Sequence, residues 1–233
     1  RDRLRSRGLG DVYKRQICHH ADTPEREAMW IAEQIQALHG EGTSYREITV
    51  LYRAHYITRI VEEVFLREKI PYAIYSGVQF FNRMEIKDAL AYLRLIAYKD
   101  DLAFLRVVNV PKRNLGERRI KFLQEYAVKH QCSLYISLET NLDNEIFKGT
   151  KAAQFVALIE NFAANYAERQ ISELLAAILN ESGYEKMLRT EGSQERLDNL
   201  AELKQSVYEY ETSCGEESTL EHYLSHVALF TNN

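Results

Sequence analysis

GVQFFNRMEIKDALAYLRLI, residues 77–96, sets two phenylalanines and an arginine directly ahead of an amphipathic helix. Ile86, Ala89, Leu90, Leu93, Ile96 and Ala97 recur at three- and four-residue spacing and form one apolar stripe. Asn82 predicts an N-cap, and Glu85 three residues later completes a capping-box pattern. Phe80, Phe81 and Arg83 have no part in that helix. The stretch lies where two patterns meet, so its two sides decide the fold.

Upstream, strand-like and helix-like segments alternate. Ile17–His20 is a short apolar-leaning run. Pro24–His39 carries Ala28, Ile31, Ala32, Ile35 and Leu38 on one face, with Asp22 or Thr23 as cap and Pro24 in the first turn, which predicts a helix. EITVLY (Glu47–Tyr52) is β-branched and short, as a buried strand would be. Ile57, Ile60, Val61, Val64 and Phe65 predict a second helix, and Tyr72–Tyr75 a further strand. This alternation predicts a partial parallel α/β sheet over residues 17–98. Downstream, residues 101–108, 117–129, 151–168, 171–180, 194–211 and 219–228 show helical periodicity only, so 99–233 is expected to be mainly helical, with Asp100 capping its first helix.

The 233 residues carry 30 Lys and Arg against 34 Asp and Glu. Residues 1–16, RDRLRSRGLGDVYKRQ, hold six of the bases and two of the acids. They read either as a basic arm for nucleic acid or as a non-native leader, because GDVYKRQ looks like translated sequencing-adapter DNA; the leader reading is preferred. Without them the net charge falls from −4 to about −8, which excludes a uniformly basic nucleic-acid coat. Any phosphate contact must be local. No apolar run approaches the roughly 20 residues of a membrane span. Cys18, Cys132 and Cys214 are odd in number and far apart, which suggests reduced thiols in a cytoplasmic protein. His222 and His226 have metal-ligand spacing but lack a zincin glutamate, so a solvated helix face is preferred and no metal site is predicted.

Two stretches carry chemistry. KRNLGERRIK (Lys112–Lys121) sets five bases around one acid, with Gly116 opening a helix whose first amides and dipole could hold a phosphate. A solvated basic turn reads equally well from composition. Tyr52-Arg53 closes the predicted EITVLY strand, where α/β folds bind ligands. The ring could stack on a base, and the guanidinium could reach phosphate oxygens.

Three blocks in order, ITVLYRAHYITRIVEEVFLREKIPYAIYSGVQFFNRMEIKDALAYLRLI, DDLAFLRVVNVPKRNLGERRIKFLQEYA and SGYEKMLRTEGSQERLDNLAEL, resemble UvrD/PcrA/Rep-type superfamily-one DNA helicases from about Ile17 onward. The resemblance implies part of the second RecA-like motor domain over 17–98 and its inserted helical domain over 99–233. It implies that Tyr52 stacks on the adenine of ATP and that Arg53 is an arginine finger on the γ-phosphate, with Mg²⁺ held elsewhere. It assigns Phe80, Phe81 and Arg83 to single-stranded DNA, facing DNA rather than core, and Arg59, the arginine closing the motif that holds Tyr52-Arg53, to DNA binding. PKRNLGERR matches a duplex-contacting element, usually PKRGIG, through Lys112, Arg113, Asn114, Gly116, Arg118 and Arg119. The chain departs from the family at Ala54–Thr58, where Thr-Asn-Ala-Gln-Ser is usual, at Ser76, and at Asn114, where Gly is common and Asn tolerates a left-handed backbone. The family's phosphate-binding loop, magnesium-holding Asp-Glu and second arginine finger are not in this sequence, which has no Walker A, Gly-x-Gly-x-x-Gly or CxxC pattern.

These implications amount to an internal fragment of an ATP-dependent, 3′–5′ DNA helicase of repair or replication restart, inactive alone and partnered by ATP, single-stranded and duplex DNA and its own remaining motor domains. The alternatives are a stand-alone helical module binding duplex DNA or a protein, and a relative that also carries a nuclease.

Overall fold

The computed structural model describes residues 17–52, 57–74, 79–214 and 218–231. Its described residues form two units, 17–50 with 60–72, and 51–59 with 73 onward.

In the first unit, α1 (Pro24–Gly40) begins where the sequence predicts. The Thr23 hydroxyl accepts from the Arg26 amide at 3.2 Å, and Pro24 takes the first turn, where its missing N–H costs nothing. Ala28, Ala32 and Ile35 of α1 pack with Val64 and Phe65 of α2 (Thr58–Arg67) and with Ile70. Tyr72 closes this small core, edge-on to Phe65 at 5.8 Å. Its hydroxyl donates to Glu62 at 3.2 Å, and burial, reinforced by that carboxylate, pushes the phenol pKa up.

The expected sheet is absent: among the described residues there is no strand. Tyr45–Glu47 is a single 3₁₀ turn, its ends closed by Ser44 and Glu47 in a capping box, and 48–52 runs on without a ladder. Residues 17–20 and 71–74 are likewise irregular. A β-branched run needs a neighbour to take its amides and carbonyls, and the described residues supply none. Ile48 and Val50 still turn apolar surface toward the unit's core, which is what their hydrophobicity demanded. The fold is mainly helical, not a partial parallel sheet followed by helices.

The second unit is built around α3 (Met84–Tyr98), which is buried nearly all round: Ile86, Ala89, Leu90, Ala91, Tyr92, Leu93, Leu95 and Ile96 are all in its core. The stripe read from the sequence is therefore too narrow. A helix with so wide a buried surface, leaving only a narrow stripe at Met84, Arg94 and Tyr98 exposed, belongs at the centre of a helical assembly. It packs against α4 (Asp101–Val107), α7 (Ala152–Ala163), α8 (Ile171–Glu181), α10 (Gln194–Cys214) and α11 (Leu220–Thr231). Lys99 ends it in the left-handed region at φ 52°, and Asp100 caps α4 through the Ala103 amide at 2.8 Å, as expected. The Lys99 ammonium lies 3.8 Å from the Tyr135 ring and pairs with Glu160, which also accepts from the Tyr135 hydroxyl at 2.8 Å. The Lys99 hydrogen bond holds the Glu160 carboxyl below its usual range, against partial burial.

The remaining helices are α5 (Glu117–His130), α6 (Leu134–Thr140) and α9 (Tyr184–Thr190). The sequence reading missed the last two. Ser133 starts α6 by accepting from the Ile136 amide at 3.2 Å, and Leu134, Tyr135 and Leu138 anchor it. Gly183, at φ 79°, turns the chain between α8 and α9.

The predicted Asn82–Glu85 box does not form. Helix α3 begins one residue later than such a box requires, at Met84, and Arg83 in the cap position makes no side-chain cap bond. The Asn82 side-chain amide donates instead to Gln79 Oε1 at 3.0 Å. Glu85 points inward, accepting from Asn199 at 2.6 Å, with Arg196 3.5 Å away. Satisfying buried Asn199 outweighs a cap that water could replace.

Candidate nucleic-acid interface

The Lys112–Lys121 stretch begins in an irregular turn between α4 and α5, and the structure divides its bases into two sets. Lys112, Arg118 and Lys121 are exposed, as are Asn114 and Gly116. Arg113 and Arg119 turn inward. Arg119 donates through Nε to the Ile146 carbonyl at 2.6 Å, closing the 3₁₀ turn Glu145–Phe147. Asn114 adopts φ 61°, the left-handed conformation its residue type tolerates. Gly116 is the N-cap of α5 without a side-chain bond, so no side chain crowds the start of that helix.

Arg113 is only 6% exposed. Its Nη1 donates to the carbonyls of Val107 and Val108 at 2.8 and 3.2 Å, and its Nη2 to the Tyr92 hydroxyl at 2.8 Å and the Ser182 carbonyl at 3.3 Å. The guanidinium also lies 4.7 Å over the Phe155 ring. Tyr92 in turn donates to the Val110 carbonyl at 2.6 Å. Burial pushes the Tyr92 phenol up, against the opposing pull of Arg113, so the hydroxyl stays protonated and keeps this donor role.

Geometry adds a residue that the sequence reading missed. The Lys151 amide donates to the Arg113 carbonyl at 3.0 Å, which puts the exposed Lys151 beside the turn. Asn114 reaches the same segment, its amide 3.4 Å from the Gly149 carbonyl. Nothing in the sequence joins positions 113 and 151; the packing of α7 does. Lys112 also borders an open cleft of about 470 Å³, together with Met84, Asp88, Arg106 and Arg196. Its arginines are engaged already, Arg106 with Asp88 at 2.7 Å and Arg196 with Glu191 at 3.1 Å. Burial pushes the Asp88 carboxyl up, although hydrogen bonds from Tyr184 and Arg106 oppose it.

Phe80, Phe81 and Arg83 do not have the exposure expected of DNA-facing side chains. Phe80 is fully enclosed and meets Phe81 edge-on at 5.1 Å, and Phe81 stacks on Phe230 at 5.4 Å. Arg83 sits 5.1 Å over the Phe80 ring and donates to Asn199 at 2.9 Å and to the Thr58 hydroxyl at 2.9 Å. Packing α3 at the centre draws these residues inward with it.

Arg59 is buried as well. Its Nε donates to Glu202 at 2.6 Å and its Nη2 to Glu209 at 2.9 Å, both on α10. Tyr52 is 39% exposed. Arg53 lies outside the described residues, as do 54–56 and Ser76. Among the described residues no group of three or more His, Cys, Asp or Glu could hold a metal, and no helix is long and apolar enough to cross a membrane. His226 packs against Tyr210 and Phe230 while keeping solvent exposure, and partial burial lowers its pKa.

Comparison with known proteins agrees with the resemblance. The model of the UvrD-like helicase C-terminal domain matches residues 7–233. An ATP-dependent DNA helicase PcrA of Staphylococcus epidermidis is 34% identical over 218 residues, covering 91% of this chain. A Staphylococcus aureus protein of the same name is 32% identical over the same length. The chain spans about 30% of the length of these curated relatives. It belongs to the UvrD-like helicase C-terminal domain family.

Proposed function

We propose that this chain is a piece of an ATP-dependent DNA helicase and that its second unit holds the duplex through the turn before α5. The observation that carries this reading is the outward set of Lys112, Arg118, Lys121 and Lys151 around a turn whose other bases are tied down inside. Phosphate contacts from such a local set release counterions and bind without sequence preference, as a motor moving along DNA requires. Phe80, Phe81, Arg83, Arg59 and Arg113 are left out of direct contact in this proposal, because their side chains are enclosed. They shape the surface from beneath.

The nucleotide half of the proposal rests on family membership. In the intact enzyme Tyr52 stacks on adenine, for which its ring has exposure, and Arg53 stabilises charge on the γ-phosphate, a role worth about 10³–10⁵ in rate. Most ligands of the Mg²⁺ come from parts of the intact enzyme outside this chain. Residues 17–98 belong with the motor and 99–233 with its inserted domain, and travel is 3′ to 5′ along the single strand.

Changing Lys112, Arg118 and Lys121 together to alanine tests the duplex reading. Each phosphate contact contributes a salt slope of about −0.9. The triple variant is expected to bind a short duplex with a slope shallower by about 2 to 3 than the parent chain. An unchanged slope and affinity refutes the assignment.

A further inference from the structure

Arg113 stands in the middle of a basic run, yet every acceptor it reaches among the described residues is a neutral oxygen. A buried guanidinium held without a carboxylate is costly unless its donors are all satisfied. Here four hydrogen bonds engage both terminal nitrogens, and two of them go to carbonyls at the end of α4, the negative end of that helix's dipole. Asn109 works on the same turn from the other side. Its Oδ1 accepts from the amides of Arg113 at 2.8 Å and Leu115 at 3.1 Å, which fixes the backbone on both sides of Asn114. The Tyr92 hydroxyl adds a bond to the Val110 carbonyl, and Lys151 one to the Arg113 carbonyl. The backbone of 110–115 is thus held from α3, α4 and α7, while Lys112 and Asn114 alternate outward between the held positions.

We infer that Arg113 and Asn109 are positioning residues for DNA: neither touches phosphate, and together they fix the turn that presents Lys112 and the start of α5 to the duplex. This rests on the duplex reading above. It differs from the family resemblance, which assigns Arg113 to the contact itself, and it adds Asn109, an uncharged residue that no resemblance singles out.

A double-mutant cycle on the whole chain separates the possibilities, with a short blunt duplex oligonucleotide as probe. It is run at a temperature where circular dichroism shows each variant fully folded. Asn109→Ala and Arg113→Gln are each expected to weaken binding about fivefold, the equivalent of one net hydrogen bond. In a background carrying Lys112→Ala and Arg118→Ala, neither is expected to weaken binding further, because the two charges that the held turn and the start of α5 present are already gone. Equal losses from Arg113→Gln in both backgrounds would make Arg113 a direct contact and overturn the inference. Full affinity in both folded single variants would reduce the pair to a purely structural role and also overturn it. If Arg113→Gln does not fold, Asn109→Ala decides alone, since an uncharged side chain adds no counterion release of its own. A parent chain with no salt-sensitive duplex binding would remove the duplex reading, and the inference with it. A parent that binds while the cycle fails would remove the inference only.

Discussion

Phe80→Ala is expected to lower the stability of the second unit by about 3–5 kcal/mol, the usual cost of removing a buried phenylalanine. The ring has no solvent exposure, its edge contact with Phe81 couples it to the Phe81–Phe230 stack, and the Arg83 guanidinium rests over its face. Truncation would therefore open a cavity beneath an arginine whose own hydrogen bonds run to Asn199 and Thr58. Urea denaturation monitored by circular dichroism checks this, and a conservative Phe80→Leu change should lose much less. A base-stacking role predicts the reverse pattern. The denaturation midpoint would hardly move, and oligonucleotide affinity would fall by about 1–3 kcal/mol.

Arg59→Ala should cost nearly as much, about 3 kcal/mol. The guanidinium is 2% exposed and spans two carboxylates on α10, so its removal leaves Glu202, itself mostly enclosed, without its counter-charge. The cost falls at the lower end of the range for broken buried pairs because Glu209 keeps access to water. Arg59→Lys should recover only part of it, since one ammonium cannot serve two carboxylates with the geometry of a guanidinium fork. The loss should persist at high salt, which screens a buried pair poorly. A change below about 0.5 kcal/mol, typical of surface positions, would show that the pair does not hold α10 in place.

The helices were the legible part of this sequence. Thr23-Pro24 and Asp100 announced their caps, and the periodicity over 117–129 and 171–180 announced the helices Glu117–His130 and Ile171–Glu181. The short helix Leu134–Thr140 was not legible, because seven residues span barely two turns and leave little period to detect. EITVLY misled for a different reason. Its β-branched residues favour a pleated, half-buried surface, but a strand exists only where another segment completes the ladder, and that is a property of the whole chain.

The site was legible as composition and not as direction. Five bases in ten residues marked Lys112–Lys121, but which of them face outward depends on acceptors far away in sequence. Ser182 takes a bond from Arg113, and Ile146 takes one from Arg119. Lys151 reaches the same surface only because its amide meets the Arg113 carbonyl. Similarly, FFNR looked superfluous to the following helix because that helix was read with one apolar face. Once most of the surface of α3 is buried, the residues ahead of it are drawn into the same core.

The central claim is that the second unit meets DNA through the turn before α5 and not through the buried cluster at Phe80–Arg83. Hydrogen–deuterium exchange of the chain with and without a short duplex measures this most directly. The account predicts new protection over residues 110–121 and around Lys151, with exchange at residues 79–84 unchanged. Protection at 79–84 with none at 110–121 would contradict it.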